Sequence, residues 1–178
     1  HKLPAFEQWL SKFKKICQPG NKSLRLLDIG CGTGGFLSFA HDKGFQIYGF
    51  DSSQAQIEYA QKKFSNVYKS FSLKAYLDVL ANPDLLFDIV TLWDVLEHIR
   101  DPIDFLYSIK SSLSKVGLLF VSVPSGPAMI WKRKLYTKLP KLYPNRSDYD
   151  WVPWEHVFYY STKSLTHVLE KVGFKVVA

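Results

Sequence analysis

From residue 24 onward, short apolar runs alternate with segments of helical period, and this alternation predicts the architecture. The runs "LRLLDI" (24–29), "QIYGFD" (46–51), "NVYKSF" (66–71), "FDIVTLWD" (87–94) and "GLLFVSVP" (117–124) read as strands. Between them, Gly35–Lys43, Ser53–Phe64, Leu73–Leu80 and Pro102–Leu113 carry apolar residues at helical spacing. Nearly continuous apolar strands separated by helices indicate a mostly parallel sheet covered on both faces, so the expected class is α/β, doubly wound.

Two regions stand outside this rhythm. Residues 4–17 place Phe6, Trp9, Leu10, Phe13, Ile16 and Cys17 three or four apart, with Pro4 at the start and Pro19-Gly20 as a stop. This predicts an amphipathic helix within an N-terminal segment 1–20, ahead of one domain over 21–178. Its apolar stripe is expected to pack on that domain, while Lys12, Lys14 and Lys15 on the other face leave a lid or a peripheral membrane contact open. Residues 125–155 hold four prolines, three of the five tryptophans and six basic residues. A stretch this long inside a compact domain reads as a lid or substrate insertion. The rhythm then resumes with a helix opening on Ser161 or Thr162 and closing at Gly173. A last strand follows, cut off at Ala178, which together with the start at His1 suggests a piece of a longer protein.

Composition narrows the class further. The 178 residues are 47 % hydrophobic and 22 % charged, ordinary globular values. No apolar run reaches membrane-spanning length and no signal-peptide pattern is seen, so a cytoplasmic location is expected. Cys17 and Cys31 are too few for a disulfide framework and are expected as free thiols. The net charge of +7 favours acidic partners, but the lysines are spread along the chain and no specific nucleic-acid target is expected.

The stretch "LLDIGCGTGG" (26–35) carries the chemistry. Glycines between a strand and a helix let a ligand approach the backbone. Gly30, Gly32 and Gly35 satisfy G-x-G-x-x-G, and Asp51 lies about twenty residues on, where an acid accepts from ribose hydroxyls. An NAD-type dinucleotide site of an oxidoreductase is therefore one reading. Three features favour a cationic ligand instead: Asp28 at the carboxyl end of the first strand, an additional flexible point at Gly34, and Asp94, Glu97 and His98 after the fourth strand. A crevice edged by these acids suits a cation better than a diphosphate.

In order and spacing, "LLDIGCGTGGFL", "GFDSS", "FDIVTLWDVLEHI", "GLLFVSVP" and "EHVFYYSTKSLTHVLEKVGF" resemble the class I S-adenosylmethionine-dependent methyltransferases. The resemblance is strongest to the branch of ubiquinone-biosynthesis O-methyltransferases and sugar methyltransferases, and it covers residues 24–178. It implies a Rossmann-like methyltransferase fold with seven strands, the last reversed, of which this chain lacks the end. It also implies S-adenosyl-L-methionine as cofactor and a small-molecule acceptor that is aromatic, lipid-like or a nucleotide-linked sugar, with transfer to oxygen favoured.

Carried onto these residues, the resemblance sets Gly30, Cys31, Gly32 and Gly34 along the methionine and ribose parts of the cofactor. Asp28 approaches the ammonium, Asp51 takes the ribose hydroxyls, Ser52 edges the adenine, and Ser70 or Phe71 closes over the base. Trp93, Asp94 and Val95 border the sulfonium, with a core role for Trp93 as the alternative. His98 is a candidate general base. Asp94, Glu97 and His98 are alternatively metal ligands, or residues that orient the loop by hydrogen bonds. His156 is a second candidate base, or a histidine anchoring the insertion. Acceptor contacts are expected from Trp131, Tyr136, Tyr143, Tyr149, Trp151 and Trp154, and anion contacts from Lys132, Arg133, Lys134, Lys138, Lys141 and Arg146. An RNA- or membrane-associated binding protein built on this fold is the remaining alternative.

Overall fold

A computed structural model describes residues 3–17, 23–139, 141 and 156–177. Five strands form one parallel sheet: β1 (Arg25–Ile29), β2 (Gln46–Asp51), β3 (Val67–Lys69), β4 (Phe87–Trp93) and β5 (Leu113–Ser122), in the order β3-β2-β1-β4-β5. The register sets Asp28 opposite Gly49 on one side and Thr91 on the other. The strand order reverses direction at β1, the switch point outside whose carboxyl end ligands bind in open α/β sheets.

The described residues hold seven α-helices: α1 (Leu3–Cys17), α2 (Gly35–Asp42), α3 (Gln54–Gln61), α4 (Leu73–Val79), α5 (Pro102–Ser112), α6 (Gly126–Lys138) and α7 (Thr162–Lys171). Local chemistry sets their ends. Ser72 caps α4 by accepting from the Ala75 N–H, and Ser161 with Ser164 forms a capping box on α7. Gly173, at φ 85°, stops α7 in a conformation that a side chain would strain.

The chain divides into two compact units, His1–Trp93 with Ser108–Val121, and Asp94–Tyr107 with Ser122–Ala178. The core of the first unit contains Leu26, Leu37, Ala40, Ile57, Val67 and Ile89, all buried. Burying each larger aliphatic side chain contributes about 1.5–3 kcal/mol. Against this core α1 lays its apolar stripe: Leu10 and Phe13 are buried, Phe6 meets Phe36 at 5.0 Å between ring centroids, and Trp9 meets Phe120 at 4.8 Å. Lys12, Lys14 and Lys15 face outward. Lys14 Nζ donates to the Lys43 carbonyl, which ties the basic face of α1 to the end of α2.

The structure departs from the sequence reading in three places. The first part of the 125–155 insertion is a helix, α6, capped by Ser125 with Pro127 in its first turn. Proline there helps to start a helix rather than break it. The fifth strand begins at Leu113, not Gly117, and α5 stops one residue short of it. Finally, residues 174–177 form no strand. A strand needs ladder hydrogen bonds to a neighbouring strand, and Phe174 instead donates its N–H to the Leu169 carbonyl at 3.1 Å, at the end of α7.

Candidate active site

The loop after β1 folds back on β2. Gly30 and Cys31 both donate their N–H to the Phe50 carbonyl, at 2.8 and 3.1 Å, and Gly34 donates to the Cys31 carbonyl at 3.0 Å. Gly30, Gly32 and Gly34 have φ of 73°, 56° and 80°, the left-handed region that other residues enter only with strain. Space is short at Gly34 as well, where a Cβ would stand 3.1 Å from the Phe64 ring.

Asp51, at the end of β2, pins this loop. Its Oδ2 accepts from the Gly32 N–H at 3.0 Å and its Oδ1 from the Ser53 N–H at 2.8 Å, so one carboxylate fixes the loop and the start of α3. Asp28 is only 2 % exposed and accepts from Thr91 Oγ1 at 2.6 Å. Burial lifts its pKa to about 7; the Thr91 hydrogen bond works against that rise, and the Asp51 charge adds to it. Cys31 is a free, buried thiol. Its pKa is pushed up by burial and by the negative charges of Asp28 and Asp51, so it is held as an unreactive SH.

Ser52 is exposed beside Asp51. Ser70 is buried, donates its N–H to the Asp51 carbonyl at 3.0 Å, and ties its hydroxyl into a turn with Ser72. Phe71 is 80 % exposed, with Lys69 Nζ 5.6 Å from its ring centre. Trp93 stacks into the aromatic cluster, 4.9 Å from Phe6, 5.3 Å from Phe36 and 4.5 Å from Phe120 between ring centroids. Its indole is thus part of the packing that seats α1, although its Nε1–H has no hydrogen-bond partner among the described residues.

The second unit holds the remaining candidates. Asp94 takes φ 55° and donates its N–H to the Ser122 carbonyl at 2.8 Å. Val95 leads into a single 3₁₀ turn, Leu96–His98. Glu97 is 2 % exposed, and its carbonyl accepts from the N–H groups of both Val157 and Phe158, at 2.8 and 3.0 Å. These two bonds draw the segment that begins at His156 against the turn. The His98 and His156 rings lie 4.9 Å apart, and the ligating atoms of Glu97, His98 and His156 all fall within 4.8 Å of one another. Tyr160, close by in sequence, is buried; burial and the Glu97 charge both raise the pKa of its phenol.

The family model described as a methyltransferase domain matches residues 2–178. The chain belongs to this family. Among similar proteins, the ubiquinone biosynthesis O-methyltransferase of Bartonella tribocorum is 30 % identical over 132 residues, covering 66 % of this chain and 52 % of that protein. Its counterpart in Caulobacter sp. strain K31 is 34 % identical over 127 residues, covering 65 % and 48 %. The chain therefore spans about half the length of the curated relatives it matches. Among solved structures, an S-adenosylmethionine-dependent methyltransferase from Archaeoglobus fulgidus aligns with a TM-score of 0.65 at 22 % identity, over 96 % of this chain and 69 % of that one. The magnesium protoporphyrin IX methyltransferase of Synechocystis PCC 6803, with bound S-adenosylhomocysteine, aligns at 0.64 and 18 % identity, over 99 % and 76 %. These two likenesses establish the fold.

Within this methyltransferase domain, Asp28, the glycine loop and Asp51 gather in the first unit, while Glu97, His98 and His156 gather in the second. Tyr143, Arg146, Tyr149, Trp151 and Trp154 lie outside the described residues. On α6, Trp131 is 64 % exposed beside Lys132, Arg133 and Lys134, whereas Tyr136 is buried. Two residues escaped the sequence reading. Thr91 holds Asp28 through the β1–β4 pairing, a register that no pattern within either strand fixes. Gly49 leaves room for Cys31: a Cβ there would stand 2.8 Å from Leu37 Cδ1 and 3.1 Å from Cys31 Sγ. No pattern in the chain announces that approach.

Proposed function

We propose that this domain transfers a methyl group from S-adenosyl-L-methionine to an oxygen of a small-molecule acceptor. The observation that carries the reading is the Asp51 clamp, an anionic side chain fixed at the mouth of a glycine loop with left-handed backbone at three positions. The residues fit a cationic adenosine derivative: glycines at positions 30, 32 and 34 let the ligand approach the backbone, Asp51 supplies negative charge where a diphosphate would be repelled, and a cation beside the buried Asp28 would favour its ionised form. Gly30, Cys31, Gly32 and Gly34 line the ligand, Asp51 accepts from the ribose hydroxyls, Ser52, Ser70 and Phe71 edge the adenine, and Trp93, Asp94 and Val95 follow the strand toward the methyl group. When bound, the cofactor supplies an electrophilic methyl on a positively charged sulfur.

The chain's own residues then have three tasks: to align the acceptor, to exclude water and to take a proton. The glycine loop, Asp28 and Asp51 would hold the cofactor, whose methyl would pass to the acceptor oxygen with the electron pair of the broken carbon–sulfur bond left on sulfur. His98 or His156 receives the hydroxyl proton on an imidazole nitrogen, leaving an ether and S-adenosylhomocysteine. Incubation with methyl-labelled S-adenosylmethionine and simple phenol, alcohol and amine probes tests this, with label expected in the oxygen acceptors. Cofactor binding with label confined to the amines would overturn transfer to oxygen.

The 4.8 Å grouping favours a second reading, in which Glu97, His98 and His156 hold a divalent cation. One carboxylate and two imidazoles suit first-row metals and leave positions open for an acceptor oxygen, whose acidity the ion would raise. Metal content of protein purified without chelator, compared with a His156→Ala variant, tests it. The exposed Trp131 and the neighbouring cations on α6 support a peripheral contact with an anionic membrane surface, which liposome sedimentation at low and high salt would detect.

A further inference from the structure

Tyr160 is 5 % exposed, yet its hydroxyl has no hydrogen-bond partner among the described residues. Buried polar groups without partners are rare because the lost hydration is not replaced. A phenylalanine would fill the same space without that cost. Nor is the residue loosely placed. Its carbonyl accepts from the Gly126 N–H at 2.8 Å, which ties it to the first turn of α6, and its ring lies 5.8 Å from that of Phe158. Gly126 itself tolerates no Cβ easily, since one would stand 3.0 Å from the Tyr159 carbonyl oxygen. The backbone is thus held tightly while the hydroxyl stays unused.

The location gives the unused donor a meaning. Glu97, which groups with His98 and His156, accepts from the Phe158 N–H through its carbonyl at 3.0 Å, and this sets Tyr160, two residues on, in the segment held against the same turn. Burial and the Glu97 charge both favour the protonated phenol, which leaves Tyr160 a hydrogen-bond donor.

We infer that the Tyr160 hydroxyl is an acceptor-positioning donor, reserved for an oxygen of the acceptor other than the one that is methylated. The inference rests on the oxygen-transfer reading above. A donor on the methylated oxygen itself would weaken the nucleophile; on a neighbouring oxygen it orients the acceptor at no such cost. The residue therefore selects acceptors that carry two oxygens close together.

The test compares wild type with Tyr160→Phe, using salicylate and catechol as two-oxygen probes and phenol as the one-oxygen probe. Wild type is expected to favour the two-oxygen probes. The variant is expected to lose that preference through a KM increase of ~10-fold for them, with phenol unchanged and a melting temperature equal to or above that of wild type. A preserved preference overturns the inference. So does a melting temperature several degrees lower, because the hydroxyl would then have a partner in the resting protein. Wild type that binds S-adenosylmethionine but methylates none of the probes overturns the inference and spares the cofactor assignment, whereas failure to bind the cofactor overturns the parent reading itself.

Discussion

Asp51 grips Gly32. The carboxylate oxygen accepts from the glycine N–H at 3.0 Å, while its other oxygen accepts from Ser53 at 2.8 Å. The same side chain that the proposed function assigns to the ribose therefore also shapes the loop before any ligand arrives. Preorganisation of this kind reduces the ordering cost of binding. Asp51→Ala is expected to weaken S-adenosylhomocysteine binding by ~10- to 100-fold, since charge-assisted hydrogen bonds are lost. Asp51→Asn, which keeps an acceptor oxygen, should lose less. Calorimetric titration of the three proteins checks the order.

Gly49 tests the packing behind the loop. An added methyl would press on Leu37 and on Cys31, whose backbone is already fixed to Phe50. Gly49→Ala should cost about 1–3 kcal/mol of stability, as overpacking does. Gly44→Ala is a useful contrast. Nothing stands within 4 Å of its Cβ position, and only the left-handed backbone at φ 82° opposes the change. Urea denaturation of both variants should therefore separate steric crowding from backbone strain.

Asp28 gives a pH dependence with a definite sign. Its folded pKa is raised to about 7 from an unfolded value near 3.8, so between these values the folded protein binds the extra proton. Stability from this group is present in full below the unfolded pKa and is lost as pH rises through the folded one, by up to ~1.4 kcal/mol for each pH unit between the two. Asp28→Asn keeps an oxygen for Thr91 and removes the titration. The melting temperature of wild type should fall, relative to this variant, as pH rises from 4 to 8. Parallel curves would contradict the buried, protonated Asp28.

The two histidines divide the chemistry differently from the cofactor site. If one is the base, its alanine variant should reduce methyl transfer by ~10²- to 10⁴-fold while S-adenosylhomocysteine binding stays within a few-fold of wild type. His98→Ala and His156→Ala should be compared in both assays. A loss of cofactor binding in either variant would mean that the residue holds the fold rather than the proton.

Much of this was legible in the chain, for reasons that can be named. Ser161 and Gly173 bracket α7 because a hydroxyl cap and a left-handed glycine are local devices, readable within a few residues. Leu26, Leu27, Ile89 and Val90 read as strand interior because parallel strands are buried on both faces. What escaped depends on distance along the chain. His156 meets His98 only because Glu97 accepts two backbone hydrogen bonds from Val157 and Phe158, a nonlocal pairing without periodicity. Helix α6 was masked by its composition: Pro127 and a face carrying Trp131, Lys132, Arg133 and Lys134 look like loop when only Gly126 and Tyr136 are buried. Trp93 reads in the sequence as bordering the sulfonium or as core; its ring packs among Phe6, Phe36 and Phe120, contacts that depend on where α1 docks and that no local pattern announces.

The central claim is that the glycine loop held by Asp51 takes a positively charged methyl donor and not a phosphate-rich dinucleotide. Parallel calorimetric titrations of the wild-type protein with S-adenosylmethionine, S-adenosylhomocysteine and NAD measure this directly. Saturable one-to-one binding of the first two is expected, with no detectable heat of binding for NAD. Binding of NAD alone would contradict the claim.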